Sequence, residues 1–131
     1  MQWTIIFHDE FEPEFDELPT EVQDELYAEA GFVERFGPET GRPHVDTLKG
    51  SDYANMKELR IQHAGRPYRV LFAFDPRRCA ILLLGGDKTG NARWYDENIP
   101  VADKLFEGHL RTLERERTHG REGAKHDKEF Q

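Results

Sequence analysis

Residues 66–86, RPYRVLFAFDPRRCAILLLGG, constrain this chain more than any other stretch. Two apolar runs, 68–74 and 79–85, flank the link Asp75-Pro76-Arg77-Arg78. Both runs have strand length, and a proline in a four-residue link is turn chemistry, so the stretch predicts two buried antiparallel strands joined tightly. The longest uninterrupted apolar run, 79–84, falls far short of the ~18 residues a bilayer span needs, so no membrane association is expected. One charge interrupts this hydrophobic unit. Arg69 lies inside the first strand, with Arg66 just before it.

The rest of the chain supplies elements to cover such a hairpin. Residues 2–8 alternate with strand period. Asp9 is placed to cap a short helix whose stripe is Phe11, Phe15 and Leu18, with Pro13 tolerable in the first turn. Pro19 ends it. Thr20-Glu21-Val22-Gln23 has the pattern of a capping box opening a second helix, striped by Val22, Leu26, Ala30 and Val33 and stopped at Gly37-Pro38. Residues 37–56 read as a loop. Residues 57–62 form a strand that completes a meander with the hairpin, the turn lying at His63-Ala64-Gly65-Arg66-Pro67. A last helix is expected from residue 99 or 100 to 113, with Ala102, Leu105, Phe106, His109 and Leu113 inward. The order β-α-α-β-β-β-α is an α+β domain, its helices segregated to one side of an antiparallel sheet. Residues 1–113 form that single domain. Residues 114–131, polar and without an aliphatic core residue, are expected to be a frayed helix end and disordered tail.

Alternation puts Tyr68, Val70, Phe72 and Phe74 on one face and Arg69, Leu71 and Ala73 on the other. If the helices take the aromatic face, Arg69 projects from an open face toward solvent or an anionic partner. An edge-strand charge that blocks aggregation, or pairing with an acid of the first helices, is the alternative. Arg60 alternates onto the same face as Arg69, and Lys88, Arg93 and Tyr95 follow the last strand. Charge supports a local patch. The chain is −8 overall, yet residues 57–93 carry eight bases against three acids, while residues 1–36 carry eleven acids and one base. A basic face on an acidic body binds phosphates locally. Arginine's planar fork suits phosphate oxygens, and nearby aromatic rings offer stacking surfaces for unpaired bases.

Taken together, Leu48-Lys49-Gly50, Met56-Lys57-Glu58-Leu59-Arg60, Tyr68-Arg69-Val70-Leu71-Phe72 and Gly86-Asp87-Lys88-Thr89 resemble the RelE/ParE superfamily of toxins. The resemblance covers residues 2–113 and is nearest to the HigB-type branch, related to phage-derived Gp-like proteins. It implies a cytoplasmic toxin of a type II toxin–antitoxin module, neutralised by a helix-turn-helix (HigA-like) antitoxin. The activity implied is metal-independent cleavage of mRNA on the ribosome. The same fold also serves ParE-like gyrase inhibitors, and a binding-only module protein is a further reading. By position, Arg69 matches the family's strand arginine at the scissile phosphate, Lys88 its basic residue after the last strand, and Tyr95 its C-terminal aromatic. These three are the catalytic candidates.

Arg60, His63, Arg66, Arg93 and Trp94 are the RNA-binding candidates. His63 has a suitable ordinary pKa for proton transfer but sits in a turn. Trp94 either stacks a base or packs the crossing into the last helix. No metal or cofactor is expected: the histidines lack ligand spacing, and the single cysteine offers no zinc set. Cys79, amid apolar neighbours, reads as a small buried hydrophobe. The first residues, MQWTIIFHDEF, lack the basic and small-residue flanks of a secretory signal, consistent with a cytoplasmic setting.

Overall fold

A computed structural model describes the backbone of residues 2–122 and the side chains of residues 2–118. The chain forms β1 (Thr4–Phe7), α1 (Glu12–Asp16), α2 (Thr20–Phe36), a 3-10 turn (Gly37–Glu39), β2 (Val45–Thr47), β3 (Met56–His63), β4 (Arg66–Phe74), β5 (Cys79–Asp87) and α3 (Trp94–Glu122). The sheet is ordered β1-β5-β4-β3-β2. The expected meander β3-β4-β5 is its antiparallel centre. β1 adds to the edge of β5 in parallel, and the short β2, inside the region expected to be all loop, pairs with β3.

The helical stripe of α2 buries the four residues its spacing marks: Val22, Leu26, Ala30 and Val33. Leu26, Ala30 and Val33 meet the Tyr68, Val70, Phe72 and Phe74 face of β4, together with Phe11 and Phe15 from α1 and its entry. Each such side chain withdrawn from water contributes roughly 1.5–3 kcal/mol, which is why this face dictates the register. The helix starts differ from expectation. Neither Asp9 nor Thr20 caps; α1 starts after Phe11 and α2 directly after Pro19, without side-chain caps.

The second sheet face is not open. α3 crosses it, burying Met56, Leu71, Ala73, Ile81 and Leu83 beneath Ile99, Ala102 and Phe106. The helices are therefore not segregated to one side: α1 and α2 cover one face and α3 the other. The helix begins at Trp94, with Pro100 inside it rather than at its start, and continues past residue 113 to Glu122. Proline is at home in a first helical turn, but here the chain accepts it one turn later at the cost of a backbone hydrogen bond. Residues 123–131 of the expected tail lie outside the described residues. No helix among the described residues is long and apolar enough to cross a membrane.

A bulge in β5 shifts the register. Leu71 pairs with Leu84 while Phe72 pairs with Leu82, leaving Leu83 as the extra residue. After it Gly85 faces Tyr68 and Phe11, and Gly86 faces Trp94. A Cβ at Gly86 would lie 2.7 Å from the indole nitrogen of Trp94. Glycine there lets Trp94 seat the start of α3 against the sheet.

Candidate functional site

That seating brings Tyr95 over the end of the central strands. Arg60 on β3 and Arg69 on β4 are direct cross-strand partners, and Gly86 on β5 is the neighbour of Arg69 on its other side. Two like charges directly opposite on a sheet are destabilising unless an anion intervenes. Glu58, two residues before Arg60 and thus on the same face, supplies one. Its Oε2 accepts a 2.9 Å hydrogen bond from Arg60 Nη1, and its Oε1 accepts one of 2.5 Å from the Tyr95 hydroxyl. Arg69 Nε lies 3.6 Å from the same Oε1, within ion-pair range but beyond a hydrogen bond.

Arg69 is buried, only 5% exposed, and does not project into solvent as the open-face reading expected. The reason is α3, whose early start roofs this end of the sheet. One guanidinium nitrogen, Nη1, donates to the carbonyls of Ile61 and Tyr68. Nε is a buried side-chain nitrogen with no hydrogen-bond partner among the described residues. Beside it opens a cleft of about 280 Å³ lined by Arg42, Pro43, Arg60, Ile61, Gln62 and Arg69. Arg42 is exposed and held by Asp46 through both Nε and Nη2, at 3.0 and 2.7 Å. Lys88 places its ammonium 5.8 Å from the centre of the Tyr95 ring. Burial first, then the hydrogen bond and charge of Glu58, push the Tyr95 phenol up to about 12, against a smaller opposing influence of Arg69. The hydroxyl therefore keeps its proton at neutral pH.

Arg60, Arg69, Lys88 and Tyr95 thus come together. Trp94 is buried beside Gly86 and meets Tyr95 edge-on at 5.3 Å, the packing role of its two readings. Arg93 is exposed immediately before α3. His63 and Arg66 do not join the cluster: they pair with each other across the β3–β4 hairpin and alternate onto the face of Ile61 and Tyr68. Arg66 instead pairs with Asp87 at 3.2 Å. Sequence reasoning missed Glu58 and Arg42. For Glu58 a signal existed, since Arg60 opposite Arg69 in an antiparallel pair demands a nearby carboxylate. Nothing in the spacing flagged Arg42, which reaches the cleft through the loop before β2. Among the described residues no group of three or more His, Cys, Asp or Glu side chains is placed to hold a metal ion.

A sheet sandwiched between helices, with a guanidinium pair and a tyrosine at one end of the central strands, is an α+β architecture with an arginine-lined cleft. Residues 13–107 match the family model described as phage-derived protein Gp49-like, and the chain belongs to that family. It is 59% identical over 80 residues to the HigB3 protein of Mycobacterium tuberculosis, named as a toxin, a match spanning 60% of this chain and 68% of that one. It is 46% identical over 99 residues to HigB2 of the same organism, also named as a toxin, spanning 74% of this chain and 49% of that one. The fold is similar to that of a mutant of the E. coli toxin RelE in the free state, with a TM-score of 0.51 and 15% identity over 70% of this chain and 88% of that one. The chain is of the HigB type, and its fold is RelE-like.

Proposed function

We propose that this chain is the toxin of a toxin–antitoxin module and acts as a metal-independent endoribonuclease on mRNA at the ribosome, held in check by a helix-turn-helix antitoxin. The observation that carries the reading is Arg60 registered opposite Arg69 under Tyr95, at the edge of the arginine-lined cleft. Cleavage of this class makes a bond from the 2′-oxygen to phosphorus, the proton of the 2′-hydroxyl passing to solvent water, and breaks the bond to the 5′-oxygen. The two guanidiniums face the charge that develops on the phosphorane, where preorganised donors have their largest effect. Tyr95, protonated at neutral pH, gives its proton to the leaving 5′-oxygen. Lys88, at the rim, is the second proton-transfer candidate. The names of the HigB relatives support the toxin part of the reading. An acidic chain with one cationic cleft suits a protein that docks on a larger ribonucleoprotein rather than gripping free RNA by charge alone.

The test is induction of the protein alone in bacterial cells with mapping of new mRNA 5′ ends, beside the Arg69→Ala variant. New ends within translated frames, lost in the folded variant, are expected. Growth arrest with DNA breaks and no new mRNA ends would replace this reading with inhibition of DNA gyrase. Unimpaired growth with folded protein present would discard the toxin reading.

A further inference from the structure

Glu58 is the residue on which this cluster turns. Its side chain is 6% exposed, and a buried carboxylate is costly unless its partners are exact in number and place. Here one carboxylate meets three functional groups: Arg60 at 2.9 Å, Tyr95 at 2.5 Å and Arg69 at 3.6 Å. These groups come from β3, α3 and β4, so the contact also ties the two elements that flank the cleft. Glu58 cancels one of the two guanidinium charges, so the clamp itself keeps one positive charge for an anion such as a phosphodiester, with Lys88 at the rim beyond it. Arg60 and Arg69 both line the cleft in which that diester would sit.

We propose that Glu58 is the positioning residue of this site: its carboxylate clamps Arg60 and the Tyr95 hydroxyl around Arg69, setting the guanidinium pair for one phosphodiester and Tyr95 as a proton donor. The proposal rests on the ribonuclease reading for its substrate but not for its geometry. Glu58 itself touches no reacting atom. It acts through Arg60, Arg69 and Tyr95, and it sets the charge the cleft presents. Without its charge Arg69 becomes the dominant neighbour of the Tyr95 phenol, and the cleft gains a full positive charge that favours a dianion over a diester.

The experiment compares wild type, Glu58→Gln, Glu58→Asp and Tyr95→Phe, each checked for fold by circular dichroism. Phenolate absorbance is followed on raising pH, with Tyr95→Phe locating the Tyr95 contribution. In the wild type this phenol stays un-ionised beyond the ordinary tyrosine value of about 10; in Glu58→Gln it ionises at least about one pH unit lower than in the wild type. Inorganic phosphate, followed by isothermal titration, binds Glu58→Gln about tenfold more tightly than the wild type, in line with one added positive charge. Glu58→Asp, which keeps the charge but draws the carboxylate back by one methylene, keeps wild-type phosphate affinity and moves the phenol toward the ordinary tyrosine value, and it carries the test if the Gln variant does not fold: a phenol unmoved in the Asp variant, or phosphate affinity raised about tenfold in it, overturns the proposal. A Glu58→Gln protein with unchanged phenol and phosphate behaviour also overturns it. If both readouts move as expected but wild-type protein cuts no mRNA, the clamp stands and the ribonuclease reading falls.

Discussion

α3 is held to the sheet by two buried carboxylates of opposite character. At its first turn Glu58 receives Tyr95. Further along, Asp75 at the end of the β4 strand receives His109 Nε2 at 3.0 Å. Asp75 is saturated. Its Oδ1 accepts from the backbone N–H groups of Arg77 and Cys79 at 2.8 and 3.1 Å, and its Oδ2 accepts from Arg77 Nε and Nη2 as well as His109. Every lone-pair direction is used, and its side chain is fully covered. The Glu58 cluster is unfinished: Arg69 Nε lacks a hydrogen-bond partner among the described residues, and Arg69 lines a cleft. A closed polar network fixes architecture, whereas an unsatisfied buried donor in a native fold calls for a reason of its own, such as strain, a catalytic role or a bound water.

The largest expected effect falls on the closed network. Asp75→Ala strips two turn N–H groups, Arg77 and His109 of their acceptor at once, and is expected to cost about 3 kcal/mol in urea denaturation. The same carboxylate sets an acid limit. Burial would raise its pKa, but hydrogen bonds from His109, from the Arg77 side chain and from the N–H groups of Arg77 and Cys79 outweigh burial and hold it below the ordinary value. A carboxyl lowered in the folded state contributes fully above its unfolded value, near pH 4, and loses that contribution as pH falls through the folded value. Stability of the wild type is therefore expected to fall below about pH 4, and the slope there to be shallower in Asp75→Asn.

The open network should respond in the opposite sense. Replacing Glu58, Arg69 and Tyr95 together, as Glu58→Leu with Arg69→Met and Tyr95→Phe, removes both buried charges and the hydroxyl that Glu58 holds, while the partly exposed Arg60 turns to solvent. Such replacements are neutral or stabilising in many proteins, so the midpoint of unfolding is expected within about 1 kcal/mol of wild type or above it. Cleavage is expected to fall at least ~100-fold, the scale of losing a preorganised donor to a phosphorane-like charge. A triple variant that unfolds as readily as Asp75→Ala would erase the distinction between the two carboxylates.

The difference between them also marks how far the sequence could be read. The hairpin 66–86, the stripe of α2 and the meander were legible because period 2 and period 3.6 leave direct traces in one strand or one helix at a time. What covers the second face was not, because it depends on where the chain resumes after Gly86. Trp94 begins α3 by filling the space that Gly86 leaves just after a bulge, and none of that has a periodic signature. β2 was missed because three residues are too few to show alternation. At the site, Arg60, Arg69 and Tyr95 could be proposed from alternation and resemblance. The exclusion of His63 and Arg66 required the register of the β3–β4 turn, where Ala64 and Gly65 both take positive φ and fix which side chains share a face.

Lys88 offers the smallest change in stability and the sharpest check on the contrast. Its ammonium sits over the Tyr95 ring at 5.8 Å with no ion pair or hydrogen bond to its side chain among the described contacts, so Lys88→Ala is expected to shift unfolding by no more than ~0.5 kcal/mol. Its backbone N–H donates to Pro67, a bond the substitution leaves intact. If Lys88 meets a phosphate of a bound RNA strand, the salt dependence of binding should become shallower by roughly one counterion while the fold is untouched. A loss of stability above about 1 kcal/mol would place Lys88 with Asp75 among the groups that hold the fold. An unchanged salt slope, with the fold intact, would put the path of the nucleic acid on the Arg42 side of the Arg60–Arg69 pair, away from the end of β5.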